Sequence, residues 1–238
     1  MRALILAAGR GTRLGPDWRA PKCLLPIGGV PLLQRYHAAL RDRVSTIRVV
    51  VGHQSDTVRA AMGASMPTVE WVENAEFEHG SILSIAAGLR DHEGPLLLMD
   101  GDVFFAPALL DALLAPGDRD ALLVDLDHAF TGEEYMAGVE DGHVRRLQRA
   151  ALPLSESGGE WVGFATLTAA SVERLRREVS DQISRGEIEG GYEDALARAI
   201  TTQPTMVIPT AGEPWTEIDV PDDRVCAEAL ARDLGAQS

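Results

Sequence analysis

Between Gly9 and Gly15 the chain reads GRGTRLG, and Pro21 and Lys22 follow shortly after. Glycines there allow positive-φ turns and close approach, successive backbone N–H groups can form an anion-binding concavity, and arginine and lysine add charge. That is how a chain presents itself to phosphate. It is neither common phosphate loop. GxxxxGK[ST] fails because Lys22 comes too late and no hydroxyl residue follows it, and GxGxxG fails because Leu14 stands at its last glycine position. A tight turn with solvated arginines is the alternative this spacing leaves open. Phosphate transfer also calls for a hard cation held by one or two carboxylates. Asp102 follows the apolar run PLLLMD through Gly101, at the carboxyl end of a strand, where ligands bind in open α/β sheets. Asp219 ends a second short strand-like stretch, in WTEIDVP. Asp100 could support a ribose, back up a metal ligand or simply end its strand. Asp222 and Asp223 fit the first turn of a helix, where acids complement the macrodipole. No two of the six histidines stand at i, i+4, which argues against zinc.

The elements that must hold these groups follow a simple alternation. Residues 3–8, 46–51, 68–73, 95–100 and 121–126 are short apolar runs bounded by turn residues, as buried parallel strands are. Between them, residues 31–41, 56–62, 81–90 and 106–114 have helical spacing. The pattern predicts an α/β fold, a three-layer sandwich around a mostly parallel sheet. From about Tyr135 it changes: a hairpin turning at 140–143, a strand over 160–168, helices over 169–184 and 192–201, a strand over 205–209 and a closing helix over 221–233. These form a small hairpin and helix insertion. Residues 155–160, SESGGE, are the most loop-like piece, followed by 186–191, GEIEGG.

With 238 residues, 45% hydrophobic and 24% charged, one globular domain is expected. The change of pattern divides it into a first part, 1–128, and a second, 129–238. A net charge of −14 speaks against a nucleic-acid partner, which needs a basic face. No stretch approaches the ~18 apolar residues of a membrane span, and the first apolar run is too short for a signal peptide. Two cysteines without ligand spacing suit a reduced, cytoplasmic setting.

LAAGRGTRLG followed by PKCLLPIGGVPLL resembles the signature of nucleotidyltransferases of the phosphocholine cytidylyltransferase and sugar-phosphate type, the MobA-like NTP transferases, which share a Rossmann-like fold. DGDVFF at 100–105, YEDAL at 192–196 and PWTEIDVPDD at 214–223 extend the resemblance along the chain. It implies that Leu6, Ala7, Ala8, Gly9, Gly11, Thr12 and Arg13 hold the nucleotide, and that Lys22 and Arg13 act on the phosphates at the reacting centre. It further implies that Asp102 and Asp219 bind Mg²⁺. Gly80 and Ser81, with Ser84 as a further candidate, stand where related cytidylyltransferases read the pyrimidine, and Asp100 joins the nucleotide site. An ordinary helix start is the alternative there, since HGSILS departs from the usual NN-x-x-S. Arg149 takes the place of a lysine that contacts the acceptor's phosphate, while Glu193, Tyr192, Trp161 and Trp215 could hold a cationic head group. The implied reaction is CMP transfer from CTP to a small phosphate or phosphonate acceptor of the phosphocholine or 2-aminoethylphosphonate kind. A sugar-1-phosphate enzyme using UTP, GTP or dTTP, or a silent nucleotide-binding module, remain alternatives. A homodimer is the common oligomer to expect.

Overall fold

The computed structural model describes residues 1–15, 18–128 and 130–236. Strand β1 (Arg2–Ala7) sends Ala3 and Ile5 into one hydrophobic core and Leu4 into another, the period-2 alternation of a strand buried on both faces. It leads through the glycine loop and two short helical turns, Thr12–Leu14 and Lys22–Leu24, to a ribbon of β2 (Pro26–Ile27) and β3 (Val30–Pro31). Then α1 (Leu32–Leu40), β4 (Thr46–Val51), α2 (Ser55–Met62), β5 (Glu70–Glu73), α3 (Ser81–Leu89) and β6 (Leu96–Asp100) alternate as expected. β7 (Val103–Phe105), α4 (Pro107–Leu114) and β8 (Ala121–Asp125) complete the first half. The second half contributes the hairpin β9 (Met136–Glu140) and β10 (His143–Gln148), then β11 (Ser157–Leu167), α5 (Ala169–Ser184) and α6 (Glu193–Ile200). β12 (Met206–Pro209), β13 (Trp215–Glu217) and α7 (Pro221–Ala236) close the chain.

The main sheet runs β5-β4-β1-β6-β11-β8-β12-β10-β9. Its β5-β4-β1-β6 half is parallel, and β8 pairs β12 in parallel as well. Only β11 lies antiparallel between β6 and β8, and the hairpin extends the far edge. Helices α1, α2, α4 and α7 share the core on one face with Leu33, Tyr36, Val58, Leu110 and Ala227, while α3, α5 and α6 share the other with Ile85, Leu175 and Leu196. The three-layer α/β sandwich is therefore present.

One local expectation is corrected. Residues 157–160, part of the stretch that looked most like a loop, begin the long strand β11 and pair with β9. The glycines there answer to crowding rather than to a turn. A Cβ on Gly158 would stand 2.0 Å from the Ala137 carbonyl oxygen, and one on Gly159 1.9 Å from that of Asp125. Glycine in a strand interior marks such close backbone approach. No described helix is long and apolar enough to cross a membrane.

Candidate functional site

The glycine loop leaves the carboxyl end of β1, with Gly9, Arg10 and Thr12 exposed and half-buried Gly11 in the left-handed region at φ 63°. A side chain on Gly11 would crowd Lys22, whose Cβ lies 3.1 Å from the Cβ position. Gly11 thus permits Lys22 to cross the loop. Beside it, β6 ends at Asp100 and turns through Gly101 and Asp102, and Gly101 is pinned to β1 by donating its N–H to the Leu6 carbonyl at 2.9 Å. A Cβ on Gly101 would lie 2.6 Å from that oxygen. The second aspartate arrives by a different route. β7 and β13 pair antiparallel with Val103 opposite Glu217, and Ile218 donates its N–H to the Asp102 carbonyl at 2.9 Å. Asp219 is then fixed by Asp223, whose Oδ2 accepts from the backbone N–H groups of Asp219 and Val220 at the start of α7.

Lys22 bridges the result. Its Nζ lies 3.0 Å from Asp102 Oδ2 and 2.5 Å from Asp219 Oδ1, with the side chain only 13% exposed, which is not the state of a loose surface lysine. Burial alone would lower its pKa, but Asp102 and then Asp219 more than offset this and hold it above the usual lysine value. Arg13 donates to Asp219 Oδ2 at 2.7 Å and to Glu133 Oε2 at 2.6 Å. A third carboxylate, missed in the sequence, completes the group: Asp102, Glu217 and Asp219 each bring an oxygen to within 4.8 Å of the others. Desolvation first, and then the charges of Asp102, Asp219 and Asp100, push the Glu217 carboxyl up to about 9. Three convergent oxygen ligands without sulfur or imidazole fit a hard divalent cation such as Mg²⁺. The signal for Glu217 was the i, i+2 spacing in TEID, which places it on the same face of an extended segment as Asp219.

Of the other nucleotide-side candidates, Leu6 and Ala7 lie in β1, and Ala8 accepts the His53 N–H on its carbonyl at 3.0 Å. Gly80 and Ser81 start α3 but serve the packing of the chain as well. Gly80 donates its N–H to the Ile188 carbonyl at 2.8 Å, and a Cβ on it would lie 1.9 Å from the Gly190 oxygen. Ser81 Oγ accepts from the Tyr192 N–H at 3.1 Å, and Ser84 Oγ, buried, accepts from Asn74 Nδ2 at 3.0 Å.

An open cleft of about 690 Å³ begins at Arg13 and Asp219 and runs past Asp100, Arg149, Trp161, Glu193 and Trp215. Four of the five residues expected to face the acceptor therefore line it. Tyr192 does not: it is fully buried, packs edge-on against Trp161 at 6.1 Å, and donates its hydroxyl to Asp100 Oδ1 at 2.8 Å. Its expected role as a ring facing the head group gives way to one of holding Asp100. Desolvation, then the charges of Asp102 and Glu193, raise the Asp100 carboxyl well above the usual carboxylate range. Gly163, at φ 87°, makes room for it, since a Cβ there would lie 2.6 Å from Asp100 Oδ2. Arg149 is exposed and makes no ion pair among the described residues. The Glu193 Oε2 is enclosed without a hydrogen-bond partner, 1.9 Å from the Cβ position of Gly191. Glu133, His128 and Glu160 also line the cleft and carried no motif in the sequence.

Residues 3–185 match the MobA-like NTP transferase domain. The CMP-5'-(3-aminopropyl)phosphonate synthase of Streptomyces rubellomurinus is 33% identical over 127 residues, 51% of this chain and 20% of that one. The bifunctional IPC transferase and DIPP synthase of Rubrobacter xylanophilus is 28% identical across 96% of this chain and 51% of its own length. The chain thus spans about half, or less, of these relatives. The inositol-1-phosphate CTP transferase of T. maritima superposes with a TM-score of 0.75 at 20% identity, covering 96% of this chain and 95% of that one, a likeness of fold. With the signature loop, Lys22, Asp102 and three-quarters of its length inside the match, the chain belongs to the MobA-like NTP transferase family of nucleotidyltransferases.

Proposed function

We propose that this protein is a magnesium-dependent cytidylyltransferase that transfers CMP from CTP to a small phosphate or phosphonate acceptor and releases pyrophosphate. One observation carries the reading: the Lys22 ammonium is suspended between Asp102 and Asp219 where the glycine loop meets the mouth of the cleft. The part up to residue 128 would take the nucleotide and the part from 129 the acceptor. An oxygen of the acceptor attacks the α-phosphorus, the bond to pyrophosphate breaks, and a CMP-linked product remains. The attacking phosphate monoester has a second pKa near 6 and is largely ionised at pH 7, so the chain needs no general base. Catalysis reduces to positioning and charge neutralisation.

Lys22 and Arg13 supply positive charge where the pyrophosphate leaves, and Arg149 offers its planar fork to the acceptor's phosphate or phosphonate. Held by Asp102, Asp219 and Glu217, magnesium would neutralise charge on the triphosphate oxygens. CTP is favoured because a relative makes a CMP-linked phosphonate and a fold neighbour is a CTP transferase. A pyrophosphate-release screen crossing CTP, UTP, GTP and dTTP with phosphate, phosphonate and sugar-1-phosphate acceptors tests the reading. Turnover with CTP and a small phosphate or phosphonate is expected. Faster turnover of another nucleotide with a sugar-1-phosphate would replace this function with the sugar-nucleotide one, and nucleotide binding without pyrophosphate across the panel would make the protein a silent binding module.

A further inference from the structure

Helix α1 buries Leu32, Leu33, Tyr36 and Leu40 along one stripe, and of these four Tyr36 alone ends in a polar group. Its ring is fully buried and lies edge-on to Phe105 at 5.1 Å and to Phe164 at 6.1 Å between ring centres. The hydroxyl has one proton, which it can donate to the Asp100 carbonyl at 2.6 Å or the Val103 carbonyl at 2.8 Å, and it accepts from the Val103 N–H at 3.1 Å. A buried tyrosine hydroxyl needs some partner. Here every partner belongs to the backbone at the two ends of a single turn, the one whose tip is Gly101 and Asp102.

The same helix also carries the lysine. Leu25 donates its N–H to the Lys22 carbonyl at 2.9 Å, and Leu32, the first residue of α1, donates to the Leu25 carbonyl at 2.9 Å. On the other side of the turn, the Asp102 carbonyl takes the N–H of Ile218, which stands between Glu217 and Asp219. The path from Lys22 to the three carboxylates therefore runs through α1, the Tyr36 hydroxyl and the 100–103 turn. Tyr192 differs in kind, since it grips the Asp100 side chain and not the backbone of that turn.

We infer that Tyr36 is a positioning residue: its hydroxyl ties the 100–103 turn to α1 and, through the bond from Ile218 to Asp102, sets where Asp102, Glu217 and Asp219 stand relative to Lys22. This rests on the reading of those carboxylates as the metal site and deepens it. Tyr36 touches no ligand in that scheme and acts through geometry, where a misplacement of about 1 Å can cost about 10²-fold in rate.

Tyr36→Phe keeps the ring and removes the acceptor of the Val103 N–H. The full-length variant and wild type are compared without metal by residue-resolved amide exchange, then titrated with Mg²⁺ by calorimetry and assayed for turnover with CTP. Val172→Ala, a small cavity in the core on the other face of the sheet, controls for lost stability. Tyr36→Phe should speed exchange about tenfold or more at both Val103 and Ile218, although only Val103 touches the hydroxyl, and weaken Mg²⁺ about tenfold. It should also lower kcat about 10–10²-fold while acceptor KM stays within about twofold. Val172→Ala should keep wild-type Mg²⁺ affinity and kcat, and speed these two amides no more than the rest of the core.

Ile218 exchanging at the wild-type rate in Tyr36→Phe, or unchanged affinity for an Mg²⁺ ion that the wild type binds, overturns the inference. If the wild type neither binds Mg²⁺ nor turns over, the function proposed above falls, and the Ile218 amide by itself then upholds or overturns the positioning. If Tyr36→Phe does not fold, wild-type exchange decides: Val103 and Ile218 should open as one unit, with protection within about tenfold of each other, and a wider gap overturns it.

Discussion

The two ends of the cleft treat charge in opposite ways. At the glycine-loop end each cation has carboxylates to answer it: Lys22 meets Asp102 and Asp219, and Arg13 meets Asp219 and Glu133. Along the far wall Arg149 makes no ion pair among the described residues, and the Glu193 Oε2 is enclosed without a hydrogen-bond partner. A buried charge that is paired can be held in place before any ligand arrives, whereas one left open is costly until a ligand pairs it. The first region is therefore preorganised, and under the proposed function the second would select the acceptor. The paired end carries a consequence for binding. Under the proposed function, a divalent ion held by Asp102 and Asp219 would compete with Lys22, leaving the Lys22 ammonium available to a triphosphate.

That contrast can be broken by mutation, beginning with the largest effects. Asp102→Asn should leave no detectable Mg²⁺-dependent pyrophosphate release, and calorimetry should show Mg²⁺ binding lost; retained activity would remove Asp102 from the site. Lys22→Ala should lower kcat about 10³-fold, the scale of losing a group that stabilises transition-state charge. Its Mg²⁺ affinity should hold or rise, since a competing cation has gone. Affinity falling in step with turnover would mean that Lys22 supports the carboxylates rather than competing for them.

Gly159→Ala addresses the scaffold beneath the acceptor wall. The added carbon meets a backbone oxygen, and overpacking costs about 1–3 kcal/mol or more, so thermal melting should fall by roughly 2–12 °C at ~2–4 °C per kcal/mol. Tyr192→Phe tests the link between the two ends. It removes the donor to half-buried Asp100, which costs about 1–3 kcal/mol, and should reduce stability with little change in acceptor KM. A large KM increase would instead return Tyr192 to the cleft wall. The smallest effect is expected from Glu133→Gln. Its pair with Arg13 is exposed on both sides, and such pairs contribute about 0–1 kcal/mol, so a nucleotide KM within a few-fold of wild type is expected.

Much of the scaffold was legible because strand and helix periods are local. The runs at 46–51 and 169–184 coincide with β4 and α5. The loop and Lys22 were legible for the same reason, lying within a short stretch that folds back on itself at Gly11. SESGGE misled because a glycine's freedom looks alike in a turn and in a crowded strand, and only the neighbouring Ala137 and Asp125 carbonyls tell the two apart. Tyr192 misled because an aromatic beside a site motif can face inward or outward, and helix α6 turns it toward Asp100. Glu160 and His128 carried no local pattern, since only the fold brings β11 beside the segment that follows β8 and pairs the two at 3.2 Å.

The sequence by itself determined the alternation of elements, the glycine loop, the lysine that follows it and a first aspartate at the end of an apolar strand, all features written within a few residues of one another. Only the tertiary structure decided that Asp219 and Glu217 join Asp102. That meeting depends on the β7–β13 ribbon and on the Ile218 N–H reaching the Asp102 carbonyl across the chain. It likewise decided which carboxylates of the cleft find donors within the chain, as Asp125 and Glu134 do, and which oxygen, Glu193 Oε2, does not. Hydrogen-bond demand is a property of neighbours in space, and no periodicity along the chain records it.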